Sequence, residues 1–294
     1  MINLGDYNTI KVVKSVDFGL YLDGGDDAGE ILLPNRYVPE GTTVGDELEV
    51  FIYLDQEERL IATTERPLAK VGDFAWLEVS WINQYGAFLN WGLMKDLFCP
   101  FREQKMRMQK GQSYLVYVTI DEESYRLMAT AKIDKYLSPL TVSIAPANPA
   151  ESEDPVTAKS YSHGTQVDLL VWQKTDLGFK DIVDNRYQGL LYENQIFQPI
   201  RSGMRLQGYI DHIRQDGKAD IILQPTGQQH TEEFAAVLLQ YLKDNGGHCD
   251  LGDKSPSEII QARFKVSKKT FKRAIGDLYR QRLITLDDNG IHLL

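Results

Sequence analysis

YGAFLNWGLMKDLFCPFREQKMRMQKGQSYLVYV, residues 85–118, places a glycine between two aromatic residues, a second glycine 25 positions later, and then an alternation of apolar and polar side chains. The same two landmarks occur twice more. FGLYLDGGDDAGEILLPNRY, from Phe18, is followed by VGDELEVFI, and LGFKDIVDNRYQGLLYENQIF, from Leu177, by SGMRLQGYI. The paired glycines are Gly19 and Gly45, Gly86 and Gly111, and Gly178 and Gly203, separated by 26, 25 and 25 residues. From repeat to repeat the first glycine advances by 67 and then 92 and the second by 66 and then 92, so both report one insertion of about 25 residues. That insertion is SPLTVSIAPANPAESEDPVTAKSYSH, residues 138–163, whose four prolines among small and polar residues predict an extended linker with little packing of its own.

After each second glycine the third, fifth and seventh positions form one face: Leu48, Val50 and Ile52; Tyr114, Val116 and Val118; Leu206, Gly208 and Ile210. A period of two means strands. The short segments around Phe18 to Leu22, Ala87 to Asn90 and Leu190 to Tyr192 add further strands bounded by turn residues. Roughly five short strands in about 65 residues predict a small closed barrel, which leaves no sheet edge exposed. The expected organisation is barrel 1 at 1–67, barrel 2 at 68–137, the linker at 138–163, barrel 3 at 164–227 and a different domain at 228–294.

From Thr231 the period changes from two to 3.6. Phe234, Val237, Leu238, Tyr241 and Leu242 make one stripe, with Thr231 as cap and Glu232 and Glu233 in the first turn. DNGG at 244–247 ends that helix; Ser255 as N-cap and Pro256 at the first position open a second, and Ser267 caps a third. In the third, Phe271, Ala274, Ile275 and Leu278 face inward, which sorts Lys269, Lys272, Arg273 and Arg280 to the opposite side and Lys268 to the flank. LITLDDNGIHLL then alternates around Asn289-Gly290, a hairpin signal. Three helices and a hairpin resemble a winged helix-turn-helix.

The repeats resemble S1 domains, which are oligonucleotide-binding (OB-fold) barrels. The resemblance rests on YGAFLN, DLFCPF and KGQSYLVYVTIDEESYRLMATAK, on FGLYLD, AGEILLPN and VGDELEVFIYLDQEERLIATTE, and in the third repeat on GLLYENQIF and DGKADIIL. Three such repeats followed by a winged helix resemble the bacterial conserved virulence factor B family of RNA-binding proteins over nearly the whole chain. The resemblance implies a multidomain, mainly β protein of three tandem S1-like OB-fold barrels with a C-terminal α+β winged helix-turn-helix, acting in post-transcriptional control of gene expression.

Single strands are held by aromatic faces on which bases stack and by cations that follow the phosphates, so the two must coincide. Repeat one has Phe18 and Tyr21 at the S1 aromatic positions and an Asp55/Arg59 pair, yet its 5 basic and 14 acidic residues leave a net charge of −9. Repulsion of a polyanion should dominate there. Repeat two has Tyr85 and Phe88 together with Arg102, Lys105, Arg107 and Lys110 in one loop, and Asp121 with Arg126 one residue further apart. Repeat three puts Leu177 and Lys180 at the aromatic positions, which leaves Phe179 or Tyr192 for stacking and Lys180, Arg186, Arg214 and Lys218 for phosphate. At the position where S1 domains often carry histidine, the three repeats are expected to hold Leu32, Cys99 and Tyr192.

The chain of 294 residues carries a formal net charge of −10, of which repeat one supplies −9, so the total does not argue against a basic grip elsewhere. Its start has no basic-then-apolar leader and no run is long enough for a membrane span, which predicts a cytoplasmic protein. Cys99 and Cys249 belong to no ligand spacing and are expected to be reduced. Phosphate-loop, dinucleotide, nucleophile-elbow and HExxH motifs are absent, and His248-Cys249-Asp250 after a Gly-Gly turn is expected to be a surface loop. The expectation is a non-catalytic protein without cofactor or metal whose partner is single-stranded RNA, held by repeats two and three and by Lys268, Lys269, Lys272, Arg273 and Arg280 of the winged helix. Two alternatives stay open: DNA read by the last helix, and a protein scaffold in which acidic repeat one docks a basic partner.

Overall fold

The structure is a computed structural model that describes residues 2–140, 159–196, 198–224, 228–287 and 290–294, and of residues 228–233 the backbone alone. It divides into two units, Met1–Leu137 and Ser138–Leu294.

The first unit holds two barrels. Barrel 1 consists of β1 (Tyr7–Val16), β2 (Gly19–Asp23), the one-turn α1 (Gly25–Ala28), β3 (Glu30–Pro34), β4 (Glu47–Leu54) and β5 (Leu60–Thr63), closed in the order β1-β2-β3-β5-β4. Barrel 2 repeats that order with β6 (Phe74–Ile82), β7 (Gly86–Asn90), β8 (Leu97–Pro100), β9 (Ser113–Ile120) and β10 (Leu127–Thr130). In the second unit, barrel 3 does so again with β11 (Gln166–Thr175), β12 (Gly178–Val183), β13 (Tyr187–Tyr192), β14 (Arg205–Ile213) and β15 (Ala219–Ile222).

The two landmark glycines have separate physical causes. A Cβ on Gly19, Gly86 or Gly178 would lie 2.2, 2.4 or 2.0 Å from the carbonyl oxygen of Leu33, Cys99 or Leu191 on the neighbouring strand, so only a bare Cα fits. Gly45, Gly111 and Gly203 instead take φ of 104°, 76° and 85°, the left-handed turn that launches β4, β9 and β14.

In β4 the expected inward residues Val50 and Ile52 are buried, but so are Phe51 and Tyr53 on the other face. Barrel 2 covers that second face: Phe51 meets the edge of Trp91 at 5.8 Å, and both belong to one apolar cluster with Leu77, Leu89 and Val116. The two barrels therefore share a core, and β4 reads as a strand buried on both sides.

The expected linker does not behave as one at its described ends. Leu140 and Tyr161 are buried in the core of barrel 3; Leu140 donates its amide to the Gly217 carbonyl at 2.7 Å and the Tyr161 hydroxyl donates to Asp184 at 2.9 Å. Pro139 closes over Gly217, where a Cβ would lie 2.5 Å from the proline ring. Residues 141–158, most of the insertion, lie outside the described residues.

Barrel 3 departs from its siblings inside. The strand register aligns Val12-Leu22-Ile31 in barrel 1, Val79-Leu89-Leu97 in barrel 2 and Val171-Asp181-Gly189 in barrel 3, up to the bulge in each first strand. Asp181 thus stands where the others have a core leucine; it is fully buried, and neither carboxyl oxygen has a hydrogen-bond partner among the described residues. Burial raises its pKa to about 8, so it is held mainly as the neutral acid at pH 7.

The C-terminal domain packs α2 (Gln228–Asp244), α3 (Ser257–Phe264) and α4 (Lys268–Arg280) against a three-stranded sheet ordered β16 (His248–Cys249), β18 (Gly290–Leu293), β17 (Ile284–Asp287). Helix α2 begins before Thr231, whose expected cap falls on side chains outside the described ones. Phe234, Leu238 and Leu242 are buried as the stripe requires, whereas Val237 is exposed at its edge and Ala235 is buried instead. Helix α3 starts one residue later than expected: Pro256 is the N-cap, and the Ser255 hydroxyl accepts the Gly252 amide in the preceding turn. Ser267 does cap α4, accepting the Thr270 amide at 3.1 Å, and Phe271, Ala274, Ile275 and Leu278 are its buried face. The hairpin tip at 288–289 lies outside the described residues, while Gly290 faces Asp287 across it.

Candidate nucleic-acid interface

In barrel 2 the antiparallel register puts Trp81 opposite Phe88 and Phe88 opposite Phe98, so three adjacent strands carry an aromatic ladder on one outer face. Trp81 and Phe88 stack with centroids 3.7 Å apart and planes 4° from parallel; Phe98 follows at 4.9 Å, tilted. Tyr85, 65% exposed, and Phe101 extend the face, which opens on a groove of about 650 Å³ that Phe88 and Phe98 also line. The equivalent ladders are Lys14-Tyr21-Leu32 in barrel 1 and Gln173-Lys180-Leu190 in barrel 3, with one aromatic ring and none. This register corrects the histidine-position assignment: Phe98 and Leu190, not Cys99 and Tyr192, align with Leu32. Cys99 is buried in the barrel instead, and burial pushes its thiol up to about 12.

Phe98 was legible, since it sits between the inward Leu97 and Cys99. Trp81 was not. Period two continued from Leu77 and Val79 points it into the core, but a bulge between Val79 and Trp81 shifts the phase, as bulges do at the same place in barrels 1 and 3.

The cations around the groove are mostly engaged. Arg102 donates to Asp121 at 3.0 Å, and the Ser124 hydroxyl, with Arg102 behind it, holds that carboxyl below the usual range. Lys105 pairs with Asp134, Arg107 lies over the Phe101 ring at 3.7 Å, and Lys110 is exposed. Arg126 does not pair with Asp121 as Arg59 does with Asp55; it reaches Glu58 of barrel 1.

Barrel 1 exposes Phe18, edge-on to Tyr21 at 6.3 Å, and ties Arg59 to Asp55 and Glu57. In barrel 3, Phe179 is 6% exposed and cannot offer a stacking face, which corrects its place among the candidates. Tyr192 and Asp220 both bind Arg214, whose pKa is raised chiefly by the Asp220 hydrogen bond; Lys218 pairs with Asp216, Lys180 lies over Trp172 at 5.4 Å and Arg186 over Tyr187 at 5.8 Å. Barrel 3 therefore keeps its expected contacts for itself.

On α4, Lys269, Lys272 and Arg273 are exposed and make no ion pair among the described residues, Lys268 is half-buried at the first turn, and Arg280 is paired with Asp277. The expected surface loop at 248–250 is partly a strand: Cys249 is buried, the His248 ring stacks on His292 at 4.6 Å, and Asp250 pairs with Arg263. Among the described residues no group of three or more His, Cys, Asp or Glu side chains could hold a metal ion, and no helix is long and apolar enough to cross a membrane.

Three closed five-stranded, OB-like barrels and a helix-turn-helix with its sheet define a multidomain, mainly β protein. A family model described as an S1 domain matches residues 4–65, and one described as a CvfB-like winged helix domain matches residues 236–293. The resemblance to the conserved virulence factor B family is borne out by homologues: the chain is 28% identical over 291 residues to the uncharacterized protein YitL of Bacillus subtilis, spanning 97% of this chain and 92% of that one. It is 24% identical over 257 residues to conserved virulence factor B of Staphylococcus aureus, 85% of this chain and 80% of that one. A crystal structure of a multidomain protein with nucleic acid binding domains from Streptococcus pneumoniae is 21% identical, covering 99% of this chain and 98% of that one, with a TM-score of 0.42. The S1 match supports nucleic-acid binding in general.

Proposed function

We propose that the protein binds single-stranded RNA without catalysing a reaction on it, and that it acts on gene expression after transcription, in the cytoplasm. The observation that carries this reading is the Trp81-Phe88-Phe98 ladder beside exposed Tyr85. Aromatic rings that line a groove, here Tyr85, Phe88 and Phe98, suit unpaired bases, because bases in a duplex have no free faces to stack. The exposed cations of α4 supply a second contact, and they suit phosphates better than base edges, since no Asn, Gln or Arg stands at the start of the helix. Barrels 1 and 3 are not asked to stack bases: one repels a polyanion and the other has no aromatic ladder.

The test is a polarisation titration of labelled single-stranded RNA and duplex DNA across salt concentrations. A stacked base is worth about 1–3 kcal/mol, so Tyr85→Ala should weaken RNA binding by about 5- to 150-fold. Changing Lys269, Lys272 and Arg273 to Ala should flatten the salt dependence by about 0.7 per lost phosphate contact. Unaltered RNA affinity of the Tyr85→Ala variant would remove the reading, an unaltered salt slope in the α4 variant would remove the helix as a contact, and no binding by the unmodified protein at low salt would favour a protein scaffold.

A further inference from the structure

The groove of barrel 2 is not built by barrel 2 alone. The turn between β4 and β5 of barrel 1 reaches its rim and contributes Leu54 and Glu58 to the lining. The Glu58 carboxylate is 2.5 Å from Arg126 Nε and 3.7 Å from Lys95 Nζ, and the same lysine donates to the Asp55 carbonyl at 2.6 Å. Both cations line the groove beside Tyr85 and Phe88. The acidic barrel thus spends a carboxylate on two of the cations that a strand in the groove would meet.

The backbone marks Glu58 as unusual. It has φ of 65°, in the left-handed region that disfavours a residue with a Cβ; the same turn position holds Tyr125 in barrel 2 and Gly217 in barrel 3, at 57° and 76°. The turn is fixed from behind by Asp55, which accepts the Glu57 and Arg59 amides and the Arg59 guanidinium. Burial alone would raise the Asp55 pKa, but these donors outweigh it and hold the carboxyl below the usual range. A rigid turn therefore presents Glu58 to Arg126 from the neighbouring barrel.

Resting on the reading of this groove as the RNA site, we propose that Glu58 is a specificity-determining residue that competes with ligand phosphate for Arg126. A guanidinium binds carboxylate and phosphate through the same planar fork, so the two anions exclude each other there. A polyanion that offers charge alone must displace Glu58 with nothing in return. A single-stranded RNA has a second hold, stacking on Tyr85, Phe88 and Phe98 in the groove, and can bind with Glu58 left on Arg126. The contact therefore costs a charge-only polyanion more than it costs a strand held by its bases, and that difference is the discrimination.

The experiment uses the full chain and two probes, labelled single-stranded oligouridylate and inorganic polyphosphate, which has phosphates but no bases. Glu58→Gln keeps the side-chain shape and should tighten polyphosphate binding by about fivefold, with a steeper salt dependence, while oligouridylate gains less. The double variant Glu58→Gln with Arg126→Ala should lose that gain. Equal polyphosphate affinity for the Glu58→Gln variant and the unmodified protein, or a gain that survives removal of Arg126, overturns the proposal. Tyr85→Ala separates the two levels: if it loses RNA binding while Glu58→Gln changes nothing, only the competition fails; if it binds RNA normally, the groove is not the RNA site and both readings fall.

Discussion

Replacing Asp181 with asparagine should remove a pH dependence of barrel 3 that the unmodified protein carries. The folded-state pKa is about 8, against an ordinary carboxyl near 3.9 in the unfolded chain. Below about pH 4 the group is protonated in both states and contributes no slope. Between about 4 and 8 only the unfolded chain releases the proton, so the unfolded state gains and stability falls as pH rises, by about 1.36 kcal/mol per unit. From pH 5 to pH 8 that amounts to about 4 kcal/mol, a large share of a domain's total stability. Asparagine has the same shape and does not titrate in this range. Amide hydrogen exchange of β12 and β13, corrected for intrinsic rates, reads the opening free energy of this barrel apart from the others. The unmodified protein should lose about 4 kcal/mol of protection over that range relative to the Asp181→Asn variant, with barrel 2 amides unaffected in the comparison. Parallel pH profiles for the two proteins in β12 and β13 would mean that the carboxylate is already ionised and solvated in the fold, and would refute the reasoning.

Two further predictions concern stability. Phe51→Ala deletes a ring shared by both barrels of the first unit, beside Trp91, and should cost about 3–5 kcal/mol in urea unfolding followed by tryptophan fluorescence; a cost below 1 kcal/mol would mean that the barrels do not share a core. Ser267→Ala removes the hydroxyl that accepts the Thr270 amide and should cost about 1 kcal/mol in the C-terminal domain, measured by exchange of the α4 amides, with the Ser267→Thr variant retaining most of it.

What the sequence made legible was whatever repeats with a physical cause. Gly19, Gly86 and Gly178 recur because a neighbouring carbonyl leaves no room for Cβ, and that recurrence, with the second glycines and the alternation after them, made the three barrels legible. The amphipathic α4 and its cap were legible because a 3.6 period and a serine are local signals. Contacts between repeats leave no such trace. Phe51 and Tyr53 look like outward positions of a half-buried strand, and only barrel 2 makes them core. Leu140 and Tyr161 sit at the ends of a proline-rich stretch whose composition reads as linker, yet barrel 3 buries both. The bulge ahead of Trp81 is a single extra residue with no sequence mark, and it turns the largest ring of the site away from the face of Leu77 and Val79 and onto the ladder.

The three barrels share one topology and divide the work by changing a few ladder and core positions. In barrel 2 the ladder is aromatic and Leu89 packs at the position that Asp181 takes in barrel 3, so stability and a stacking surface coexist. Barrel 3 has exchanged the ladder rings for Lys180 and Leu190, tied Arg214 to its own Asp220 and Tyr192, and placed a neutral acid where a leucine would pack. Barrel 1 accounts for −9 of the chain's net charge of −10, and an acidic module is a poor RNA ligand on its own. Its structural value lies elsewhere: Phe51 and Tyr53 brace barrel 2, and the same barrel's β4–β5 turn delivers Glu58 to Arg126. Because the brace and the carboxylate arrive on adjoining segments, loss of the shared core would also withdraw Glu58 from the groove. Phe51→Ala should therefore shift anion binding in the same direction as Glu58→Gln under conditions where barrel 2 stays folded, and opposite shifts would show that the brace and the competitor act independently.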